Sequence, residues 1–294
     1  MNQKKILGFD TSGLNAMTND RHSTGLIAGI RVGYRIRLSA MSIDEIIGTQ
    51  DEEARNRLLD ICQRLLPAGD CMQPSHWIAE RLIENFERHG HSGWQTLDLR
   101  ALDYENEICR REIVNNALAR EQHDFSTSAE KRFADLFGHA RPEFDKVFAN
   151  GTQRPVTSSQ LLSVLQVPGG AFWTIGAALY EHVAKHQPGE DNVRAFLADC
   201  PPFNALLLSL VMAQFERTTR DLKSGESYRA GRADLFTSVY LPYVDVFITN
   251  DERQRRCLRE IAVVAHFGVE ILSYEDFRNG HFLQLAANAT QPFV

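Results

Sequence analysis

Apolar positions in this chain follow two rhythms. Short unbroken or alternating runs lie near the ends: Lys4 to Phe9, Tyr34 to Ala40 (YRIRLSA), Val244 to Thr249 and Val269 to Leu272. Runs of this length predict buried strands. In between, apolar residues recur at three- and four-residue spacing with charged residues opposite. That pattern predicts helices over Asp51–Leu66, Pro74–Arg88, Tyr104–Arg120, Ala129–Phe137, Phe172–His186 and Asn204–Leu222. Breakers separate them at Pro67-Ala68-Gly69, Gly90 to Gly93, Arg141-Pro142, Pro168-Gly169-Gly170, Pro188-Gly189 and Pro201-Pro202. No internal repeat or low-complexity tract interrupts the sequence. The simplest architecture is an α/β fold in which both termini join one small parallel sheet flanked by helices. The expected organisation is one domain over residues 1–294. Its core runs over about 1–66 and 203–294, with a helical insertion over about 67–202 emerging from the sheet's edge.

Two of the predicted strands stop at a carboxylate. KKILGF runs into Asp10 and YVDVFIT runs toward Asp251. Open α/β sheets present functional groups at the carboxyl ends of their strands, so both acids are candidates for one site. Glu45 and Asp234 each lie beside an apolar element. Four carboxylates crowded together stay ionised only when a cation neutralises them, which points to a divalent-metal site acting on phosphodiesters. Each acid also has a plain structural reading. Asp10, before Thr11 and Ser12, suits a helix N-cap or an Asx-turn, and Asp251 suits a turn. Asp234 suits a helix start, where the macrodipole favours a carboxylate. Glu45 competes with its neighbour Asp44, although Ile43, Ile46 and Ile47 set an apolar phase around it. Asp245 is a fifth candidate, because a carboxylate inside an apolar strand needs a partner.

Composition adds modest limits. With 43% hydrophobic and 24% charged residues, the 294-residue chain can bury a substantial core. A formal net charge of -6 argues against a general nucleic-acid coat, but leaves room for a nuclease whose metal centre is itself acidic. The first residues lack a signal-peptide or membrane-span pattern, so a cytoplasmic location and no membrane partner are expected. Cys62, Cys71, Cys109, Cys200 and Cys257 are odd in number, dispersed and without CxxC spacing, which predicts buried thiols rather than a disulfide framework or a zinc knuckle.

The strings ILGFDTSGL, LSAMSIDEI and GRADLFTSVYLPYVDVFITNDER resemble the three motif regions of the PIN-like nuclease domains, and VEILSYEDF resembles their closing strand. The resemblance covers about the first fifty and last seventy residues, and the order of these short motifs gives it specificity. It implies a PIN-like three-layer α/β/α sandwich with a small parallel sheet, here with a large helical insertion. It further implies an acidic tetrad of Asp10, Glu45, Asp234 and Asp251 that binds Mg2+ or Mn2+ and cleaves RNA. Thr249 comes with it as the threonine of the terminal Thr-x-Asp motif. PIN-like proteins include toxins, RNA-processing enzymes and defence effectors, so an antitoxin, another protein or a second copy of the chain are candidate partners. Compact members are about half this length, and the helical region has no counterpart among the motifs.

An oxygen-only ligand set favours Mg2+ or Mn2+ over zinc. Thr11 or Ser12 would orient a water at the cation, and Thr249 would hydrogen-bond a neighbouring carboxylate. Arg229 and Arg232, around Gly231, are candidate phosphate contacts. His89 and His91 have chelating spacing but no obvious third ligand. Arg253, Arg255 and Arg256 read as surface charge, and Trp77, Trp94 and Trp173 as packing. Two competing readings remain. One is a non-catalytic PIN-like module that binds RNA or protein. The other takes GFDTSG as the phosphate loop of an actin-like or sugar-kinase ATPase, which requires a second strand-rich domain.

Overall fold

The computed structural model describes residues 4–110, 114–129, 131, 171–219 and 236–280. Strand β1 (Lys5–Phe9) is followed by helices α1 (Thr11–Thr18) and α2 (Ser23–Gly33), strand β2 (Tyr34–Ser39), and helices α3 (Ala40–Ile47) and α4 (Glu52–Leu65). A 3-10 turn over Leu66–Ala68 leads into strand β3 (Gly69–Met72), then helices α5 (Ser75–His89) and α6 (Leu102–Cys109). Helices α7 (Ala171–Ala184), α8 (Glu190–Asp199) and α9 (Pro201–Thr219) come next. A 3-10 helix over Thr237–Tyr243 precedes strand β4 (Val246–Ile248), helix α10 (Glu252–Val264) and strand β5 (Glu270–Leu272).

The five strands form one all-parallel sheet in the order β3-β2-β1-β4-β5. The chain builds outward from β1 through β2 to β3, then crosses to the other side of β1 for β4 and β5. The order therefore reverses between β1 and β4, and a crevice opens at the carboxyl ends of such a switch point. Both faces of the sheet are covered, as a parallel sheet requires. On one face Leu7, Phe9, Ile36, Leu38, Cys71, Val246 and Ile248 pack with residues of α1, α2 and α4. On the other, Phe247 and Ile271 pack with residues of α5, α8, α9 and α10. The period-two alternation of the strands produces this division. Each fully buried aliphatic side chain contributes about 2 kcal/mol by transfer from water. The α/β class and the small parallel sheet are as expected from the sequence.

Several elements differ from the sequence expectation. Pro67-Ala68-Gly69 reads as a breaker, yet it is the entry to β3, an edge strand inside the stretch expected to be helical insertion. A Cβ on Gly69 would lie 1.8 Å from the Ile36 carbonyl oxygen, so only glycine lets β3 pair with β2 at this register. Helices α5, α8 and α9 share one buried cluster with Phe247 and Ile271 of the sheet, so much of the middle of the chain is a covering layer of the sandwich. The predicted helix Tyr104–Arg120 is interrupted: α6 ends at Cys109, and helix resumes at 116. Helix α8 falls between two Pro/Gly breakers that hid its short amphipathic pattern. Most of the predicted helix at Ala129–Phe137 lies outside the described residues. Among the described residues no helix is long and apolar enough to cross a membrane. Cys62, Cys71 and Cys200 are buried free thiols, Cys257 is half-buried and Cys109 is exposed.

Candidate active site

The site grows from two helix starts. Asp10 leaves the end of β1 in extended conformation and caps α1, its Oδ1 accepting the Gly13 N–H at 2.7 Å. Asp251 leaves β4 and caps α10, its Oδ1 accepting the N–H groups of Arg253 and Gln254 at 2.8 and 2.9 Å. The reading of Asp10 as an N-cap is thus correct, Asp251, read as a turn acid, is an N-cap as well, and capping is compatible with a further role. A cap engages chiefly one carboxylate oxygen and fixes the direction of the other. The two positive helix termini meet here, and both dipoles favour negative charge.

Hydroxyl groups stitch the two caps together. Ser12 Oγ lies 2.8 Å from Asp10 Oδ2 and accepts the N–H groups of Asn250 and Asp251 at 2.7 and 3.1 Å. Thr249 Oγ1 donates to Asp10 Oδ2 at 2.8 Å and accepts the Asp251 N–H at 3.2 Å. It also lies 2.7 Å from the side-chain oxygen of Gln254. One hydroxyl carries one proton, so while Thr249 donates to Asp10 the Gln254 amide must turn its nitrogen toward Thr249. Gly13 N–H, Ser12 and Thr249 all donate toward Asp10, an arrangement that suits an ionised carboxylate. Burial works against it. Asp10 is only 8% exposed, and desolvation, with a smaller contribution from the charge of Asp251, holds its carboxyl above the usual carboxylate range despite the three hydrogen bonds.

The approach of α1 to β4 depends on Gly13. A Cβ there would meet the Ile248 carbonyl oxygen at 2.8 Å and Asp10 Oδ1 at 3.2 Å. Any side chain would push the α1 N-terminus away from the end of β4 and open the Asp10–Ser12–Asp251 contacts.

Glu45 lies on α3, whose N-cap Ser39 ends β2. Its carboxylate accepts a hydrogen bond from Thr11 Oγ1. The ambiguity with Asp44 resolves geometrically, because Asp44 turns toward α6 and accepts the Tyr104 hydroxyl at 3.3 Å. The structure therefore brings Asp10, Thr11, Ser12, Thr249 and Asp251 into one hydrogen-bonded network and attaches Glu45 to it through Thr11. Asp234, Arg229 and Arg232 lie outside the described residues.

Asp245 does not belong to this site. It is exposed at the amino end of β4 and accepts the Ile6 N–H at 2.7 Å, at the opposite end of the sheet from Asp10. It sits at the strand's mouth rather than inside it, and the partner required by sequence reasoning is the Ile6 backbone N–H of the neighbouring strand. His89 and His91 stack ring on ring at 6.0 Å on the surface. Trp94 packs edge-on against Tyr243, whereas Trp77 is 41% exposed under Arg81. Gln254 was not foreseen as part of the site, although its signal is present: it stands three residues after the capping Asp251, at the capping-box position.

The donor set is oxygen-only, as a hard divalent cation requires. Asp251 is exposed, and its Oδ2 is outside the cap bonds; Asp10, across the switch point, is close enough to feel its charge. A cation beside this pair would relieve both the desolvation of Asp10 and its repulsion from Asp251. As the side chains stand, no group of three His, Cys, Asp or Glu residues among the described residues is close enough to hold a metal ion. Comparisons with family models, with curated proteins and with solved structures each returned no match.

Proposed function

We propose that this chain is a divalent-metal-dependent ribonuclease of the PIN-like kind, hydrolysing phosphodiesters at the crevice between β1 and β4. The observation that carries the reading is the coupling of Asp10 to the Thr249-Asn250-Asp251 turn through Ser12 and Thr249, at the switch point of a 3-2-1-4-5 parallel sheet. Asp10, Glu45 and Asp251 would hold Mg2+ or Mn2+, with Asp234 as the expected fourth acid. The chemistry supplied by such an ion is activation of the attacking water and neutralisation of charge on the scissile phosphate. The protein's own residues supply the placement. Thr249 and Ser12 aim Asp10 and favour its ionised form against its burial, the α10 cap orients Asp251, and Thr11 draws the exposed Glu45 carboxylate toward the β1 end. Arg229 and Arg232 remain the proposed phosphate contacts.

One observation favours a second reading. Asp10 and Asp251 both serve as helix caps, as they would in a PIN-like module that binds RNA or protein without cleaving it. The ATPase reading needs a second strand-rich domain, and every strand among the described residues belongs to the one sheet. The deciding experiment is a cleavage assay on single-stranded RNA and single-stranded DNA with Mg2+, Mn2+ or EDTA. Metal-dependent cleavage of RNA that disappears in Asp10→Asn and Asp251→Asn supports the nuclease. Retained cleavage in Asp10→Asn rejects it, and metal-independent RNA binding without cleavage selects the non-catalytic module.

A further inference from the structure

On the face of the sheet away from α1, β2 and the edge strand β3 leave a cavity of about 320 Å³. Its floor is unusual for a buried parallel sheet. Alternation along β2 puts Arg35 and Arg37 on the face where β4 carries Phe247, and the β2–β3 register sets Arg37 beside Asp70. Arg35 Nη2 bonds Asp70 Oδ2 at 2.5 Å, and Arg37 Nη1 donates to the Tyr243 carbonyl at 3.1 Å. A third guanidinium comes from the loop that covers β3. Arg100 is clamped by a two-pronged bond to Glu105, Nε to Oε1 at 2.7 Å and Nη2 to Oε2 at 2.6 Å. That loop is itself pinned to the strand, with Gln73 N–H bonding Leu99 O at 2.9 Å and Ala101 N–H bonding Cys71 O at 2.7 Å. The remaining wall is aromatic: Trp94 and Tyr243 meet edge to face at 5.8 Å.

We propose that this cavity is a binding site for a small molecule that carries a planar ring and one oxyanion group, carboxylate or phosphate. Three features specify that chemistry. Each guanidinium presents five N–H donors, and the bonds above use only some of them, so rigidly held donors remain for an oxyanion. Arg37 Nε is buried without a hydrogen-bond partner; Asp70 Oδ1 stands 3.5 Å away, outside hydrogen-bond geometry. Three arginines meet the carboxylates of Asp70 and Asp98 in the lining and that of Glu105 behind Arg100, so no net negative charge opposes an anion here, in a chain whose overall charge is -6. The Trp94 and Tyr243 rings provide the apolar wall that a planar ring requires, and the volume is at the lower end of the range of small-molecule sites. The site is independent of the acidic network. It lies against the opposite face of the sheet from the α1 core and toward the amino ends of β2 and β3, whereas Asp10 follows the carboxyl end of β1.

The test uses the full chain labelled with 15N and follows the three tryptophan indole N–H signals, with Trp94 assigned by loss of its signal in Trp94→Phe. Benzoate, phenyl phosphate and benzamidine are titrated to about 10 mM, roughly tenfold above a millimolar Kd. Benzoate or phenyl phosphate is expected to shift the Trp94 signal saturably, and whichever binds tighter identifies the preferred oxyanion. Benzamidine, the same ring with a cationic group, is expected to bind at least tenfold more weakly. Arg35→Gln and Arg100→Gln alter side chains that are half exposed, and each is expected to weaken the anion at least tenfold. The proposal is overturned by the absence of a saturable Trp94 shift with both anions, by equal binding of benzamidine, or by unchanged affinity in both arginine variants.

Discussion

Asp10 and Asp70 are both carboxylates on the central sheet, and they are equally hidden, at 8% and 9% exposure. Their neighbours are opposite in kind. Asp70 lies between two guanidinium groups, Arg35 at 2.5 Å and Arg37 at 3.5 Å. Asp10 is given neutral donors, the Gly13 N–H and the hydroxyls of Ser12 and Thr249, and a second carboxylate, Asp251, close enough to raise its pKa. A fold that needed only a buried acid at the end of β1 would be more stable with a fixed cation beside it. Asp70 shows that this sheet accommodates that solution two strands over. The difference leaves Asp10 without a cationic side chain beside it, which is the condition that the proposed exchangeable cation would meet.

The largest expected effect separates the two acids by activity. Asp10→Asn should lower metal-dependent RNA cleavage by at least about 100-fold, an effect of the size seen when a single electrostatic stabiliser of a transition state is removed. Asp70→Asn should leave the rate of the remaining folded protein within about threefold. Equal losses in both variants would erase the distinction.

Stability should move in the reverse sense. Asp70→Asn strands two arginines and should cost about 2 kcal/mol, less than a fully buried pair because the Arg35 side chain is 52% exposed. That corresponds to a fall in Tm of about 5 °C. Asp10→Asn in EDTA should raise Tm by about 2 °C at neutral pH, since it removes a desolvated charge while the amide still meets Ser12 and Thr249. The pH dependence has a fixed sign. A carboxyl whose folded pKa is raised contributes stability that is present below its unfolded value near 3.8 and is lost as pH rises through the folded value. The advantage of Asp10→Asn over wild type should therefore be smallest at the acid end and grow as pH rises above the unfolded value, which melting curves from about pH 3 to 8 can follow. A constant difference across that range would contradict the assignment of burial as the dominant cause.

Smaller changes test how the neutral donors hold Asp10. Gly13→Ala places a methyl against the Ile248 carbonyl, and should cost about 2 kcal/mol and lower cleavage, measured by denaturant melts and by the RNA assay. Thr249→Val removes one donor to Asp10 and one acceptor for the Asp251 N–H, at an expected cost of about 1 kcal/mol.

How much of this was legible beforehand depended on whether the signal was local. The strand runs ending at Asp10 and Asp251, and the parallel sheet joining them, were readable because a short apolar run followed by a capping acid is a local pattern. β3 was not, because its four residues, Gly-Asp-Cys-Met, carry no alternation, and the reason for Gly69 is the Ile36 carbonyl more than thirty residues away. Asp245 was misjudged for a related reason: the apolar run around it did not reveal that the strand begins only at Val246. The choice of Glu45 over Asp44 required the positions of Thr11 and Tyr104 on other elements. The arginine-lined cavity was invisible in sequence, where YRIRLSA reads as an ordinary alternating strand and Trp94 as packing.

Titration calorimetry of Mn2+ into the wild-type chain, compared with Asp10→Asn and Asp251→Asn, tests most directly whether these two acids share one cation. The expected result is saturable binding in wild type that weakens at least tenfold in each variant. No binding heat at millimolar Mn2+, or equal affinity in all three proteins, would contradict the account.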